Sequence, residues 1–167
     1  VTTNCLTGKA MYLSENHDRQ RALDVVRASS SLPFVSKIVE VDGIPMLDGG
    51  IADSIPVQHA IDMGWQHNVV VLTRNKGWRD MGKDHKIPYL YKNYPRLRVA
   101  LSHRHRAYNE QIQLVDDLEA AGKITCIRPI RPLEVGRIEK DTDKLERLYE
   151  EGFMLGEAFC EKCVEKE

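Results

Sequence analysis

The sequence lacks the short motifs that mark several common enzyme classes. It contains no G-x-S-x-G, no Walker loop, no G-x-G-x-x-G and no H-E-x-x-H, so it offers no recognisable nucleophile elbow, phosphate loop, dinucleotide site or metalloprotease helix. No apolar run approaches the roughly 20 residues that span a bilayer. The opening VTTNCLTGK lacks the basic and then apolar order of a signal peptide. The formal net charge is −1, which does not indicate a nucleic-acid partner.

Cysteine is also scarce, with four residues in 167, which argues against a disulfide framework and favours a reducing, cytoplasmic location. Cys160 and Cys163 have C-x-x-C spacing, but no second pair completes a zinc site and no thioredoxin-like strand precedes them. His103 and His105 would point about 200° apart on a helix and cannot share a metal. We therefore predict no metal and no cofactor. We interpret SHRHR as a solvated basic patch, and whether the stretch 96–106 contacts anionic head groups stays open.

The hydrophobic patterns predict strands that alternate with helices. The run NVVVLT at 68–73 is apolar on both faces, which is typical of a parallel strand covered by helices. Two further short strands are predicted around Thr7-Gly8, and others at 37–41, at 44–47 and at 124–130. Helices are predicted at 18–28, from Ser54 to Gly64, at 94–121 and from Asp141 onwards. The polar stretch 74–88 is predicted to be a surface loop. We therefore predict an α/β fold, built as a layered α/β/α sandwich, in a chain long enough for one domain with a real core.

Local signals at three of these elements are specific enough to check. Asp42-Gly43 favours a type I′ hairpin turn, because both positions accept positive φ. Ser54 is a candidate cap for the helix that follows it. The helix at 18–28 is predicted to have an acidic first turn and an apolar side, the latter formed by Ala22, Leu23, Val25 and Val26.

The stretch LDGGIADSIP places an aspartate at the end of an apolar run, two glycines after it, and a helix start a few residues later. From spacing alone, Asp48-Gly49-Gly50 has two interpretations. One is a structural turn between a strand and a helix. The other is a carboxylate held in place for chemistry, since open α/β sheets bind ligands at the carboxyl ends of their strands and glycine lets a backbone or a substrate approach closely.

The longer block ASSSLPFVSKIVEVDGIPMLDGGIADSIPVQHAIDMG resembles the second characteristic block of the patatin-like phospholipases. The later stretches YPRLRVAL, YNEQI, LEAAGKITCIRPIRPLEVGRIEKD and KLERLYEEGF resemble the C-terminal extension of a bacterial subgroup of that family. The resemblance implies a partial patatin-like fold with a helical C-terminal extension. Residues 1–78 would be the C-terminal part of the catalytic core, and residues 79–167 would be the extension, a strand and helices that pack on the core.

The resemblance also implies a lipid acyl hydrolase that uses a Ser–Asp dyad and no histidine. In such a dyad the aspartate accepts the serine proton as the hydroxyl attacks an ester. Carried onto this sequence, Asp48 is the dyad aspartate, and Gly49 and Gly50 shape its turn. The substrate would be a lipid or another acyl ester, met with peripheral membrane contact. The serine elbow and the oxyanion loop are expected upstream of Val1, in an N-terminal segment of the same protein.

Two other hypotheses stay open at this point. Because the sequence has no nucleophile elbow, the chain could instead be a non-catalytic fragment that binds a partner or a membrane surface. Alternatively, Ser29, Ser30 or Ser31 is a nucleophile for Asp48, although ASSSLP lacks the glycines that a strained elbow needs.

Overall fold

The structure is a computed structural model that describes residues 1–82, 89–136 and 138–164. The chain divides into two compact units. The first unit comprises Val1–Pro56 and Asp80–Leu114, and the second comprises Val57–Arg79 and the described residues from Val115 onwards. The predicted boundary between residues 78 and 79 separates the expected patatin-like core from its expected C-terminal extension. It does not describe compact units, and it stays a prediction.

The first unit is built on a four-stranded antiparallel sheet in the order β2-β1-β4-β3. Its strands are β1 (Thr2–Asn4), β2 (Ala10–Met11), β3 (Val39–Val41) and β4 (Ile44–Asp48). Asp42 and Gly43 join β3 to β4 with φ values of 52° and 73°, which is the left-handed pair that a type I′ turn requires. The predicted hairpin is therefore confirmed. In the register of β1 with β4, Thr2 pairs with Asp48, so the end of β4 lies in the sheet beside the start of β1.

Helix α1 (Arg19–Ser29) follows β2 and begins one residue after the predicted start at Asp18. Asp18 caps it, since one carboxylate oxygen accepts the amides of Gln20 and Arg21 at 2.8 and 3.0 Å. The predicted acidic first turn is wrong, because Asp18 is the cap itself and no acidic residue follows within the turn.

The predicted apolar side of α1 is also wrong in part. Ala28 is buried and Val25 packs against the same core cluster, whereas Leu23 and Val26 are exposed. The reason is helical geometry, because Leu23 and Val26 lie roughly 130° or more around the helix from the side that Val25 and Ala28 share.

The core of the first unit joins the sheet to helix α3 (Pro95–Ala120). One cluster of buried residues contains Cys5, Leu47, Ile51, Tyr91 and Leu97. Burial raises the pKa of the Cys5 thiol to about 11, so this cysteine is a neutral core residue at physiological pH. The packing of Leu97 in the same cluster as Leu47 brings α3 against the strand that ends in Asp48.

The second unit contains a two-stranded parallel sheet, β5 (Asn68–Val71) and β6 (Ile124–Ile127). The prediction that NVVVLT forms a parallel strand is confirmed, but the prediction that this strand is covered on both faces is wrong. Val69 and Val71 are exposed, the latter to 71%, because one face of this sheet carries no covering layer within the described part of the unit. The predicted strand at 124–130 ends at Ile127, and Ile130 is exposed.

Helices α2 (Val57–Asp62) and α4 (Thr142–Val164) complete the second unit. The predicted stops after α2 and α3 are confirmed, since Gly64 and Gly122 have φ values of 90° and 66°, the left-handed conformation common after a helix. Asp141 precedes α4 and accepts the amides of Asp143 and Lys144. Of the predicted loop at 74–88, residues 74–82 are irregular as expected, and 83–88 lie outside the described residues.

The predicted α/β class is confirmed, because both units combine helices with sheets. The layered sandwich stays a prediction. Among the described residues, no helix has the length and apolar character needed to cross a membrane.

Candidate active site

Asp48 is the last residue of β4, and its backbone is fixed on both sides. Its amide donates to the carbonyl of Ser31 at 2.9 Å. Its own carbonyl accepts the hydroxyl of Thr3 at 2.8 Å. The half-buried side chain turns back on the chain, so that Oδ1 accepts the amide of Gly50 at 2.6 Å. The backbone and one carboxylate oxygen of Asp48 are therefore held by three hydrogen bonds.

The second carboxylate oxygen, Oδ2 of Asp48, has no hydrogen-bond partner within residues 1–82, 89–136 and 138–164. A carboxylate anchored through one oxygen can accept a proton on the other, which is the geometry a general base needs. The antiparallel neighbours of β4 correct one part of the sequence argument. Asp48 does not lie on the shared carboxyl edge of a parallel sheet, because β1 and β3 both run opposite to β4.

Space, rather than backbone conformation, requires a glycine at position 49 and favours one at position 50. A Cβ atom on Gly49 would lie 2.5 Å from the carbonyl oxygen of Val1, and one on Gly50 would lie 3.0 Å from Oδ1 of Asp48. The first contact is shorter than Cβ atoms make in proteins and meets backbone, whereas the second is tight and meets the end of a side chain. The close approach expected at these positions is thus made by the protein's own Val1, which precedes β1, and by the Asp48 carboxylate itself.

Ser54 does not cap α2 as predicted. Its hydroxyl donates to the carbonyl of Gly50 at 2.8 Å instead. The amides of Ser54 and Ile55 donate to Oε1 of Gln111, on α3, at 3.0 and 3.1 Å. The reason for the error is that α2 begins only at Val57, so Ser54 lies three residues before the helix and its hydroxyl bonds back within the turn.

Three side chains that sequence reasoning missed surround this turn. Arg104 of α3 donates from Nε to the carbonyl of Gly50 at 2.8 Å. Gln111 donates from Nε2 to Oδ1 of Asp53 at 3.0 Å, and Tyr12 donates its hydroxyl to Oδ2 of the same carboxylate at 2.5 Å.

The contact of Arg104 with Gly50 corrects one sequence prediction. The interpretation of SHRHR as a solvated basic patch is wrong for Arg104, because its guanidinium bonds to the protein backbone. The spacing of seven between Arg104 and Gln111, which puts both on one face of a helix, is the signal that could have indicated it.

The hydroxyls of the three serines before β3 form hydrogen bonds with backbone carbonyls. Ser29, Ser30 and Ser31 donate their hydroxyls to the carbonyl oxygens of Val1, Val26 and Arg27 at 2.7, 2.9 and 2.7 Å. A hydroxyl has one hydrogen to donate, so none of these serines offers it to Asp48 in this arrangement. The geometry disfavours them as the nucleophile.

A metal site finds no support in the part of the chain that the structure describes, where no three His, Cys, Asp or Glu side chains come together as ligands. Cys160 is an exposed free cysteine on α4. The side chain of Cys163 lies outside the described part, so the interpretation of this C-x-x-C as neither metal nor redox motif stays a prediction.

Residues 9–61 match the family model described as patatin-like phospholipase. This patatin-like segment contains β2, α1, the β3–β4 hairpin and the whole Asp48-Gly49-Gly50 turn. The match supports the family on which the resemblance rests. Residues 94–165 match a second family model, described as a domain of unknown function (DUF6363). Arg104 and Gln111 both lie in that second segment.

The chain is also similar to a longer curated protein, "Uncharacterized protein YjjU" of Escherichia coli (strain K12). The two are 29% identical over 151 residues, which cover 84% of this chain and 41% of the relative. The chain thus spans about two fifths of the length of the relative that it matches.

Proposed function

We propose that this chain supplies the general base, Asp48, of a lipid acyl hydrolase that works through a Ser–Asp dyad. The observation that carries the proposal is the carboxylate of Asp48, which lies inside the patatin-like segment with Oδ1 anchored to Gly50. The nucleophilic serine comes from a segment outside this chain, since the sequence has no G-x-S-x-G and the hydroxyls of 29–31 are committed to carbonyls. Gly49 and Gly50 give the turn its shape.

The chemistry asked of Asp48 is a proton transfer in two steps. Oδ2 accepts the serine proton while the serine oxygen bonds to the ester carbonyl carbon, and the proton then passes to the leaving alcohol as the ester C–O bond breaks. Water repeats the sequence on the acyl-enzyme and releases a carboxylic acid. The substrate class is a carboxylic ester of a lipid. We also propose that the protein degrades lipids in the cytoplasm and contacts a membrane peripherally. The scarcity of cysteine supports a cytoplasmic location.

The test is Asp48→Asn in the full-length protein, assayed on a short-chain acyl ester. Asparagine keeps an oxygen that can accept the Gly50 amide but cannot accept a proton at neutral pH, so the turn should persist while the base is lost. We expect turnover to fall about 10²- to 10⁴-fold. Asp62→Asn, an exposed carboxamide substitution on α2, is the matched control and should retain full turnover. Unchanged turnover in a folded Asp48→Asn protein would contradict the assignment.

A second candidate function is a non-catalytic module that binds a partner or a membrane surface, favoured by the missing nucleophile elbow. Fluorophosphonate labelling followed by intact-mass measurement separates the two functions. A full-length protein that is labelled on one serine and hydrolyses esters supports the hydrolase. A full-length protein that is neither labelled nor active, yet sediments with phospholipid vesicles, supports the binding module.

A further inference from the structure

The residue Gly50 connects the Asp48 carboxylate to α3. On one side, the amide of Gly50 donates to Oδ1 of Asp48 at 2.6 Å. On the other, the carbonyl of Gly50 accepts both Nε of Arg104 and the hydroxyl of Ser54, each at 2.8 Å. A shift of Gly50 would therefore move the hydrogen-bond donor that orients the carboxylate.

The guanidinium of Arg104 is itself held from a second direction. Its Nη1 lies 3.8 Å from Oδ2 of Asp80. Asp80 is in turn fixed by Asn109 of α3, whose Oδ1 accepts the amide of Asp80 at 2.7 Å and whose Nδ2 donates to its carbonyl at 3.0 Å. The guanidinium of Arg104 thus contacts the Asp80 carboxylate and donates to the Gly50 carbonyl. The two contacts together restrict the positions that this side chain can occupy.

The far end of the same turn is held by Gln111, two helical turns further along α3. Its carboxamide accepts the amides of Ser54 and Ile55 and donates to Asp53. The carboxamide oxygen Oε1 makes two of these contacts, and the nitrogen Nε2 makes the third. The segment from 50 to 55 is therefore attached to a single helix at its first residue and at its last three.

We propose that Arg104 and Gln111 are positioning residues, which hold the turn 50–55 so that the Asp48 carboxylate keeps its orientation for proton transfer. The inference rests on the proposed function of Asp48 and extends it to the segment matched by the model of unknown function. Neither side chain touches the carboxylate. Both act through the backbone of the turn.

Two substitutions in the full-length protein test this role. Arg104→Ala removes the donor to Gly50, and Gln111→Leu keeps the bulk of the side chain while removing its three hydrogen bonds. Arg96→Ala and Glu110→Ala, exposed positions on the same helix, are the matched controls. We expect kcat on a short-chain ester to fall about 10- to 100-fold in the two test variants, the size expected when a reacting group is misplaced. KM should be unchanged.

Arg104→Lys supplies a conservative variant. Lysine can place an ammonium donor near the Gly50 carbonyl, so it should recover part of the lost kcat. Amide hydrogen exchange gives a readout that does not depend on activity, since Ser54 and Ile55 lose their acceptor in Gln111→Leu. Exchange should accelerate within 50–55 and not elsewhere in the first unit.

The outcomes separate the two proposals. Lower kcat with local acceleration of exchange supports positioning. Normal kcat in both test variants overturns it, as does acceleration spread over the whole first unit, which indicates a merely structural contact. If Asp48→Asn abolishes activity while both test variants remain fully active, the positioning role alone fails. If Asp48→Asn stays active, the proposed base fails, whatever the exchange experiment shows.

Discussion

Arg104, in α3, donates a hydrogen bond from Nε to the carbonyl oxygen of Gly50, although 54 positions separate the two residues in the chain. The contact joins the segment that matches a domain of unknown function to the turn that carries Asp48. The turn that follows Asp48 is therefore held in part by a hydrogen bond from a residue outside the patatin-like segment.

The first prediction compares a glycine that is packed against other atoms, Gly49, with a glycine that lies in open space, Gly152. Gly49→Ala should destabilise the protein by about 1–3 kcal/mol, the usual cost of forcing extra atoms into a packed site, because its Cβ would lie 2.5 Å from the carbonyl oxygen of Val1. Gly152→Ala should stabilise it by about 0.5–1 kcal/mol. That glycine lies within α4, where an added Cβ meets no atom within 4 Å.

Urea unfolding of both glycine variants beside the natural protein measures the difference. Opposite signs are the expected result. Equal effects from the two substitutions would show that the space around Gly49 is not what requires a glycine there.

The second prediction compares two cations that share one carboxylate in the second unit. Arg128, only 9% exposed, pairs with Oε2 of Glu119 and with Oδ1 of Asp116, each at 2.9 Å. Lys76, 70% exposed, reaches the same Glu119 oxygen at 3.2 Å. Burial alone would raise the pKa of Asp116, but hydrogen bonds from Arg128 and Arg79 outweigh it and keep that pKa below its ordinary value.

Arg128→Met should therefore cost about 2–4 kcal/mol of unfolding free energy, since it leaves two partly buried carboxylates without their main partner. Lys76→Met should cost less than about 1 kcal/mol, as exposed pairs do. Denaturant unfolding of the two variants measures both. Similar losses would mean that burial does not set the strength of these ion pairs.

The third prediction is a pH dependence that arises at the start of α1. The carboxylate of Glu15 accepts the amides of Asp18 and His17 and an N–H of Arg21 at 3.0, 2.8 and 2.8 Å. These bonds lower the pKa of Glu15 from 4.5 to about 2. Because the folded pKa lies below the unfolded one, the contribution to stability is complete above pH 4.5 and is lost as the pH falls towards 2.

Melting temperatures measured from neutral pH down to this range should show the effect. Glu15→Gln should melt below the natural protein at neutral pH, and the gap should close as the pH falls from 4.5 towards 2. Glu40→Gln, an exposed change on β3, should leave the pH dependence unaltered. A gap for Glu15→Gln that stays constant across this range would show that the bonds to Glu15 are not the source.

Sequence reasoning identified the features that a few neighbouring residues decide. Asp42-Gly43 adopts the turn its residue types favour, α1 and α4 begin one residue after their predicted starts at Asp18 and Asp141, and Gly64 and Gly122 follow helices. These features depend on φ preferences and on hydrogen bonds between residues close in the chain, so their physics is contained in the local sequence. The resemblance around Asp48 is of the same kind, because its motif is a continuous stretch.

The tertiary structure decided what depends on residues far apart in the chain. It set the antiparallel pairing of β4 with β1, the exposure of Val69 and Val71, and the use of Arg104 and Gln111 to hold the turn after Asp48. Burial and long-range hydrogen bonds depend on which surfaces meet, and that is fixed by the packing of whole elements. The sequence by itself therefore indicated which residue could act as a base, and only the folded chain showed what holds it in place.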